Sequence, residues 1–208
     1  MTALSDARIV LAVTGGIAAY KAADLASKLV QVGARVDVIL TRSADEFIRP
    51  LTFAALTRHV HTDLFASWTD AAAGHVSLAH DADLLIVAPA TANAIARLAL
   101  GLADDLLGAI NLATTAPILI APAMEDRMFR HPATQDHLAT LRRRGATIVG
   151  PDEGRLASGE IGVGRLATVE SIVGAARLVL GRGGPLAGRR IVVTAGGTRE
   201  PIDPVRFL

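Results

Sequence analysis

The sequence predicts an α/β fold in which helices cover both faces of a parallel sheet. Short, continuous apolar runs, at 9–13 and 83–88, are typical of strands that are buried on both sides. Helical patterns alternate with such runs along the chain, as right-handed crossover connections require. A glycine pair, Gly15 and Gly16, separates the first apolar run from the first helical pattern. Together these observations predict a Rossmann-like (flavodoxin-like) parallel sheet in three layers.

The predicted elements follow one another in a regular order. Strands are expected at 9–13, 35–40, 61–65 (an edge strand), 83–88, 117–121 and 146–149. Helices are expected at 18–32, near 44–48 and 52–57, at the end of a loop over 71–78, and at 91–100, 105–113, 132–144 and 169–180. Pro89 is expected to end the strand before it. The segment 151–166 has four glycines and no periodicity, which predicts a long loop.

The composition near the carboxyl end predicts a domain boundary. Residues 181–185, GRGGP, have the composition of a linker. Beyond them, residues 190–198 repeat the opening pattern of an apolar run followed by a glycine turn. We therefore expect one domain over 1–181, a linker over 182–188, and the start of a second α/β domain over 189–208.

Composition and charge exclude several classes of function. The formal net charge is +1, with basic and acidic residues interspersed, which argues against a nucleic-acid or membrane surface. The chain has no cysteine, so disulfides and thiolate metal sites are excluded, and no metal is predicted. We find neither an uncharged apolar stretch long enough to span a membrane nor a signal peptide. The expected location is the cytoplasm.

The turn after the first strand has the properties of an anion site. Gly15 and Gly16 let backbone amides approach a ligand closely, and the next helix directs its positive end at the same place. The turn lacks the G-x-G-x-x-G dinucleotide pattern, and Asp37 lies in mid-strand. The second strand ends in Thr41 and Ser43, whose hydroxyls suit a phosphate better than a ribose diol. An ordinary structural glycine turn is the alternative.

Two further strand ends carry small residues that could face a ligand. Residues 89–93 and 122–125 both follow predicted strands with a Pro-Ala pair. Ligands of open α/β sheets bind beyond the carboxyl ends of the strands, so these segments could present backbone amides to a flat ligand. Taken singly, each motif is also explained by helix capping at Thr91 or by a turn at Pro122.

Five motifs give the chain a resemblance to a known family. They are GGIAAYK at 15–21, GHVSLA at 74–79, PATANAIARLALGLADDLL at 89–107, PAMEDRMF at 122–129 and SGEIGVGR at 158–165. In order and spacing they resemble the homo-oligomeric flavin-containing cysteine decarboxylase family. Residues 195–207 resemble the start of a phosphopantothenate–cysteine ligase domain. The resemblance implies FMN-dependent decarboxylation of 4′-phospho-N-pantothenoylcysteine to 4′-phosphopantetheine in coenzyme A synthesis, by a chain that also carries the ligase.

The resemblance also implies where the cofactor binds and how subunits associate. It places the FMN phosphate near Gly15, Gly16, Thr41 and Ser43. The ring is implied near 89–93, where the candidates are Ala90, Thr91 and Asn93. The region of Asp105 would come from a neighbouring subunit, in trimers that assemble into dodecamers.

The same resemblance implies a catalytic histidine and exposes two departures. His75 matches the active-site histidine of the family, although a lone histidine is more often a surface or capping residue. Ser158 stands where the family has a proton-donating cysteine, and an alcohol is a far weaker acid than a thiol. Glu125, after Met124, stands where the family has an asparagine that contacts the substrate carboxylate, which a second carboxylate would repel.

These departures leave alternatives open. Glu160, Arg165 or water could take over the missing role, and we count Arg165 among the substrate-binding candidates. A peptidyl-cysteine oxidative decarboxylase needs no acid after decarboxylation. A non-catalytic flavin-binding regulatory homologue would also tolerate both changes.

Overall fold

The structure is a computed structural model that describes residues 3–57, 59–64, 74–184 and 187–194. Its strands are β1 (Arg8–Val13), β2 (Arg35–Leu40), β3 (His59–His61), β4 (Leu84–Ala90), β5 (Ile118–Pro122), β6 (Thr147–Ile148), β7 (Asp152–Arg155) and β8 (Ile161–Arg165). Its helices are α1 (Lys21–Gln31), α2 (Arg42–Asp45), α3 (Pro50–Ala54), α4 (Gly74–Asp81), α5 (Ala92–Leu100), α6 (Leu106–Ala113), α7 (Asp126–Arg130), α8 (Pro132–Arg143) and α9 (Val169–Gly181). A 3₁₀ turn, Ile17–Tyr20, precedes α1.

Six strands form one parallel sheet in the order β3-β2-β1-β4-β5-β6. Alternate residues of β1 enter two separate cores, because successive side chains of a strand point to opposite faces. Ile9, Leu11 and Val13 pack with residues of α1 and α9, whereas Val10 and Ala12 pack with residues of α5, α6 and α8. The predicted three-layer α/β fold is therefore confirmed.

Most predicted elements are present, and several begin earlier than expected. α3 begins at Pro50, where a proline suits the first turn of a helix because it has no amide hydrogen to leave unpaired. α2 begins at Arg42, directly after the extended Thr41. The edge strand is His59–His61 rather than 61–65, and Phe65 lies outside the described residues. α4 begins at Gly74, and the expected loop over 71–73 is also outside them.

The prediction that Pro89 ends a strand is wrong. β4 continues through Pro89 to Ala90, and its register with β5 shifts between Val87 and Ala90. Such an irregularity lets a residue without an amide hydrogen stay in a paired strand.

The prediction of a long loop over 151–166 is also wrong. β7 and β8 pair as an antiparallel hairpin with a turn over 156–160. Its glycines allow close packing: a Cβ on Gly164 would lie 2.0 Å from the Met124 carbonyl oxygen, and one on Gly162 would lie 2.8 Å from Asp126 Cβ. The short helix α7, which the sequence analysis missed, provides part of the surface that the hairpin contacts.

The expected second domain remains a prediction. Residues 189–194 form no helix or strand and are exposed, although an apolar run had predicted a strand there. A parallel strand needs a neighbour for its hydrogen bonds, and no described strand pairs with this segment. Residues 185–186 of the expected linker, and 195–208, lie outside the described part of the chain.

The hairpin packing predicts opposite effects for two glycine substitutions. Gly164→Ala should lower the free energy of unfolding by about 1–3 kcal/mol, because its methyl group overlaps the Met124 carbonyl. Gly174→Ala, in α9, has open space around its Cβ and should raise that free energy by about 0.5–1 kcal/mol. Urea unfolding of both variants measures the difference, and equal effects would contradict the close packing.

Candidate functional site

The order of strands in the sheet creates a crevice between β1 and β4. β1 connects through α1 to β2 on one side, whereas β4 connects through α5 and α6 to β5 on the other, so the connections from these two neighbouring strands run in opposite directions. Ligands of open α/β sheets bind at such a switch point. The residues that follow β1, β2 and β4 meet there.

Thr14 joins the two strand ends at the base of the crevice. Its side chain is buried, and Thr14 Oγ1 donates a hydrogen bond to the Pro89 carbonyl oxygen at 2.7 Å. Thr14 Oγ1 also accepts a hydrogen bond from the Thr91 amide at 3.0 Å. Thr91 Oγ1 in turn accepts from the Ala94 amide at 3.3 Å, which caps α5. The start of α5 is therefore held against β1 by side-chain hydrogen bonds.

The two glycines after Thr14 serve different purposes. A Cβ on Gly15 would lie 2.4 Å from Ser43 Cβ and 2.5 Å from the Ser43 carbonyl oxygen, so only glycine fits between the ends of β1 and β2. Gly16 has an extended backbone, and a Cβ there would lie 3.5 Å from Thr91 Cγ2, which is an ordinary contact. Close approach, rather than an unusual backbone angle, explains Gly15.

A cavity of about 760 Å³ opens beyond these strand ends. Its volume is in the range of pockets that hold cofactors. Hydroxyl, amide and charged side chains line it. The predicted cofactor residues that line it are Thr41, Ser43, Thr91, Asn93 and Asp105.

The outer wall of the cavity is the turn between α5 and α6. Asp105 caps α6 by accepting from the Gly108 amide at 2.8 Å, and Arg97 of α5 forms ion pairs with Asp104 and Asp105. A Cβ on Gly108 would lie 2.2 Å from the Leu102 carbonyl oxygen, so the turn packs directly on α6. The sequence analysis identified Asp105 but missed Arg97, which lies eight residues away on another helix.

The remaining predicted cofactor residues lie next to the cavity. Gly15 and Gly16 adjoin its lining residues Ser43 and Thr91. Ala90 is fully buried at the end of β4, where its carbonyl oxygen accepts from the Ala123 amide at 3.0 Å. Its side chain is part of the core, so any contribution to a ligand comes from its backbone.

A second group of predicted residues lies at the end of β5. The Met124 amide donates to the Gly164 carbonyl oxygen at 3.0 Å. This bond sets the segment 124–125 beside β8, whose last residue is Arg165. Glu125 is half-buried and precedes α7. Ser158 is exposed in the turn of the hairpin, and Ser158 Oγ accepts from the Glu160 amide at 3.4 Å.

His75 is not part of either group. It is the second residue of α4, half-buried, and does not line the cavity described above. The single chain therefore brings together the predicted cofactor residues, and separately the predicted substrate residues, but it does not bring the histidine to them.

Lys21 is a candidate that the sequence analysis did not single out. It is the first residue of α1, close after the glycine turn, and only half-exposed. Burial lowers the pKa of the Lys21 ammonium group, and the nearby Arg165 lowers it further, while Asp152 opposes the shift. Lys21 therefore lies near both a cation and a carboxylate of the hairpin, Arg165 and Asp152.

Within the described residues, no helix is both long and apolar enough to cross a bilayer. In the same residues, no cluster of three or more histidine, aspartate or glutamate side chains could hold a metal ion.

The parallel sheet and its switch-point cavity define an α/β protein with a cofactor-sized cavity at the carboxyl ends of its strands. The chain belongs to the Flavoprotein family, which matches residues 1–179. The DNA/pantothenate metabolism flavoprotein C-terminal domain family matches residues 186–208. These matches confirm the resemblance to a flavin-containing family.

Curated relatives and solved structures agree with this family. The chain is similar to the coenzyme A biosynthesis bifunctional protein CoaBC of Bacillus subtilis, with 50% identity over 98% of this chain and 51% of the relative. The Vibrio vulnificus protein of the same name is 46% identical over 100% of this chain and 52% of its own length. The chain thus spans about half the length of these relatives.

Two solved structures have the same fold and more than 30% identity. One is a cysteine-to-serine mutant of a PPC decarboxylase complexed with pantothenoylaminoethenethiol, with 34% identity and a TM-score of 0.75 over 83% of this chain and 97% of that one. The other is the FMN-dependent cysteine decarboxylase SpaF, with 32% identity and a TM-score of 0.72 over 85% and 97%.

Proposed function

We propose that this chain carries out the FMN-dependent decarboxylation of 4′-phospho-N-pantothenoylcysteine to 4′-phosphopantetheine in coenzyme A biosynthesis. One observation carries the proposal: a chain with 50% sequence identity to a protein named for coenzyme A biosynthesis has the fold of a PPC decarboxylase. The cytoplasm remains the proposed location. We propose the phosphopantothenate–cysteine ligase activity only for a longer protein in which residues 189–208 begin a second domain.

The residues around the cavity fit FMN. The missing Cβ of Gly15 leaves the ends of β1 and β2 in contact, next to the hydroxyls of Thr41 and Ser43. These hydroxyls, with the backbone at Gly15 and Gly16, would hold the phosphate. The cofactor ring would lie along the β4 end, where the candidates are Ala90, Thr91 and Asn93, with Asp105 at the outer wall.

The substrate explains why such a cofactor is needed. Bound FMN supplies a two-electron acceptor, without which loss of carbon dioxide would leave a carbanion that nothing delocalises. His75 is the proposed base that removes the thiol proton, or else orients the thiol, as hydride leaves the neighbouring carbon. The resulting thioaldehyde accepts the electrons released by decarboxylation and becomes an enethiolate, which takes up one proton to give an enethiol. Return of hydride and one proton gives the saturated thiol.

The final protonation is where this chain departs from its family. Ser158 has an exposed hydroxyl that accepts from the Glu160 amide, and within the described residues no acidic side chain is hydrogen-bonded to it. We propose that another group, such as Glu160, Arg165 acting through water, or water itself, completes the step. Glu125 would repel the substrate carboxylate unless its side chain is protonated or turned away.

A second candidate function follows from the same serine. An oxidative cysteine decarboxylase stops at the enethiol and needs no final acid, so Ser158 would not impair it. The match of residues 186–208 to a pantothenate-metabolism domain favours the full reaction instead. The product distinguishes the two functions: a saturated thiol in the first and an enethiol in the second.

Self-association is part of the proposal, because three leucines on α5, on α6 and on the turn between these helices are exposed. Leu100, Leu102 and Leu112 are 64%, 48% and 59% exposed, and Leu112 Cδ2 lies 3.7 Å from the Cβ position of Gly101. A contiguous aliphatic surface of this kind is typical of an interface. We propose that it contacts another copy of the chain, in trimers that assemble further into dodecamers.

Flavin binding is tested by two substitutions at Gly16. Gly16→Asp should abolish the visible flavin absorption of the purified protein, because it places a negative charge where the phosphate binds. Gly16→Ala should retain that absorption, since its methyl group meets only Thr91 Cγ2 at contact distance. A wild-type protein that stays colourless after reconstitution with FMN would contradict the cofactor.

The catalytic assignments are tested by separating the two half-reactions. His75→Asn should slow substrate-dependent flavin reduction by about a hundredfold or more, the range of general acid–base effects. Ser158→Ala should leave product formation within about tenfold, under roughly 1.4 kcal/mol of barrier. Stopped-flow absorption follows the first half-reaction and carbon dioxide release with product analysis follows the whole. Severe, equal losses in both for Ser158→Ala would make the serine a direct participant.

The proposed interface is tested by placing a charge on it. Leu112→Glu should shift the protein to smaller species in light scattering and should lower its flavin content, because the α5–α6 wall would lose its cover. Leu178→Glu is the matched control, since Leu178 is 74% exposed on α9, on the other side of the sheet. A monomeric wild type that binds flavin tightly would overturn the proposal.

A further inference from the structure

The β7–β8 hairpin is joined to the end of β5 by two hydrogen bonds of different kinds. The first links backbone to backbone, from the Met124 amide to the Gly164 carbonyl oxygen at 3.0 Å. The second uses a side chain, because the Val163 amide donates to Asp126 Oδ1 at 2.8 Å. These contacts set the hairpin, with Ser158 at its turn and Arg165 at its end, beside Glu125.

Asp126 is held in the orientation that this second bond requires. It is the first residue of α7, and Arg130, one helical turn later, donates through Nε to both carboxylate oxygens at 3.0 and 2.8 Å. The bond from Arg130 and then that from the Val163 amide lower the pKa of the Asp126 carboxyl group. The carboxylate is therefore charged at neutral pH and oriented from both sides.

The sequence of β8 allows the carboxylate to reach this amide. A Cβ on Gly162 would lie 2.8 Å from Asp126 Cβ and 3.1 Å from its Oδ1, so any side chain there would displace Asp126. Gly162 and Gly164 flank Val163, and both pack on the segment 124–126. Both partners are therefore suited to this contact. An ion pair between Asp126 and Arg130 alone would not require glycines at 162 and 164.

We propose that Asp126 is a positioning residue that holds the β7–β8 hairpin against the end of β5 and so places Ser158 and Arg165 relative to Glu125. Its catalytic consequence rests on the proposed decarboxylase function. The docking of the hairpin does not, so the two can be tested separately. No contact between Asp126 and substrate is needed for this role.

Three variants test the proposal in the flavin-loaded chain. Asp126→Ala removes the acceptor for the Val163 amide, whereas Asp126→Asn keeps a carbonyl oxygen that can accept it. Asp136→Ala is the matched control, because it removes an exposed carboxylate from α8. Tryptic cleavage after the exposed Arg155 of β7 reports release of the hairpin, since cleavage follows the population of the open form.

We expect Asp126→Ala to be cleaved after Arg155 on the order of tenfold faster than wild type, with Asp126→Asn within about threefold and Asp136→Ala unchanged. We also expect Asp126→Ala to raise KM for 4′-phospho-N-pantothenoylcysteine by about tenfold and to change kcat less, at unaltered flavin absorption. A merely destabilised protein would lose flavin and cleave elsewhere as well.

Several outcomes would overturn the proposal. Equal cleavage of Asp126→Ala and wild type would show that Asp126 does not hold the hairpin. Faster cleavage without a change in KM would remove the positioning role, and failure of Asp126→Asn to restore either property would show that the amide bond is not the cause. If wild type released no carbon dioxide, the decarboxylase function would fail, and the cleavage comparison would still decide the docking.

Discussion

The rest of the site depends on the hydrogen-bonded junction between the carboxyl ends of β1 and β4. Thr14 is buried there and forms hydrogen bonds with both Pro89 and Thr91. A single hydroxyl therefore joins the ends of two strands, although Thr14 and Pro89 are 75 residues apart in the chain. The connections from these two strands run in opposite directions, which leaves a crevice open between their carboxyl ends. Because Thr91 also caps α5, the position of the outer wall follows from the same junction.

Much of the fold could be predicted because the signals were local. Strands buried on both faces need continuous apolar runs, and the caps of α5 and α6 lie directly before their helices at Thr91 and Asp105. The β7–β8 hairpin was missed for the opposite reason. It has no apolar alternation, because glycines pack its backbone on the segment 124–126, and that contact joins positions distant in sequence.

The same distinction between local signals and long-range contacts applies to the residues of the site. Thr41, Ser43, Thr91 and Asn93 could be predicted because they follow strands, and the carboxyl ends of parallel strands meet at one edge. Arg97, Lys21 and Asp126 could not, since each acts through a partner on another element. His75 was found by resemblance alone, and no rule for a single chain places it beside the cavity. The positions of these residues depend on contacts between elements that are distant in sequence, which local sequence patterns do not reveal.

The attachment of the hairpin has a consequence for how such an enzyme could change. The proposed cofactor residues follow the strands of the sheet. Ser158, which stands where the resemblance implies a proton-donating cysteine, lies instead on a hairpin that contacts the segment after β5 through a few backbone and carboxylate hydrogen bonds. Substitutions at Ser158 therefore leave the cavity intact. Under the proposed function, exchange of residues on this one hairpin could change whether the product leaves as a saturated thiol or as an enethiol, while the oxidising half of the reaction stayed the same.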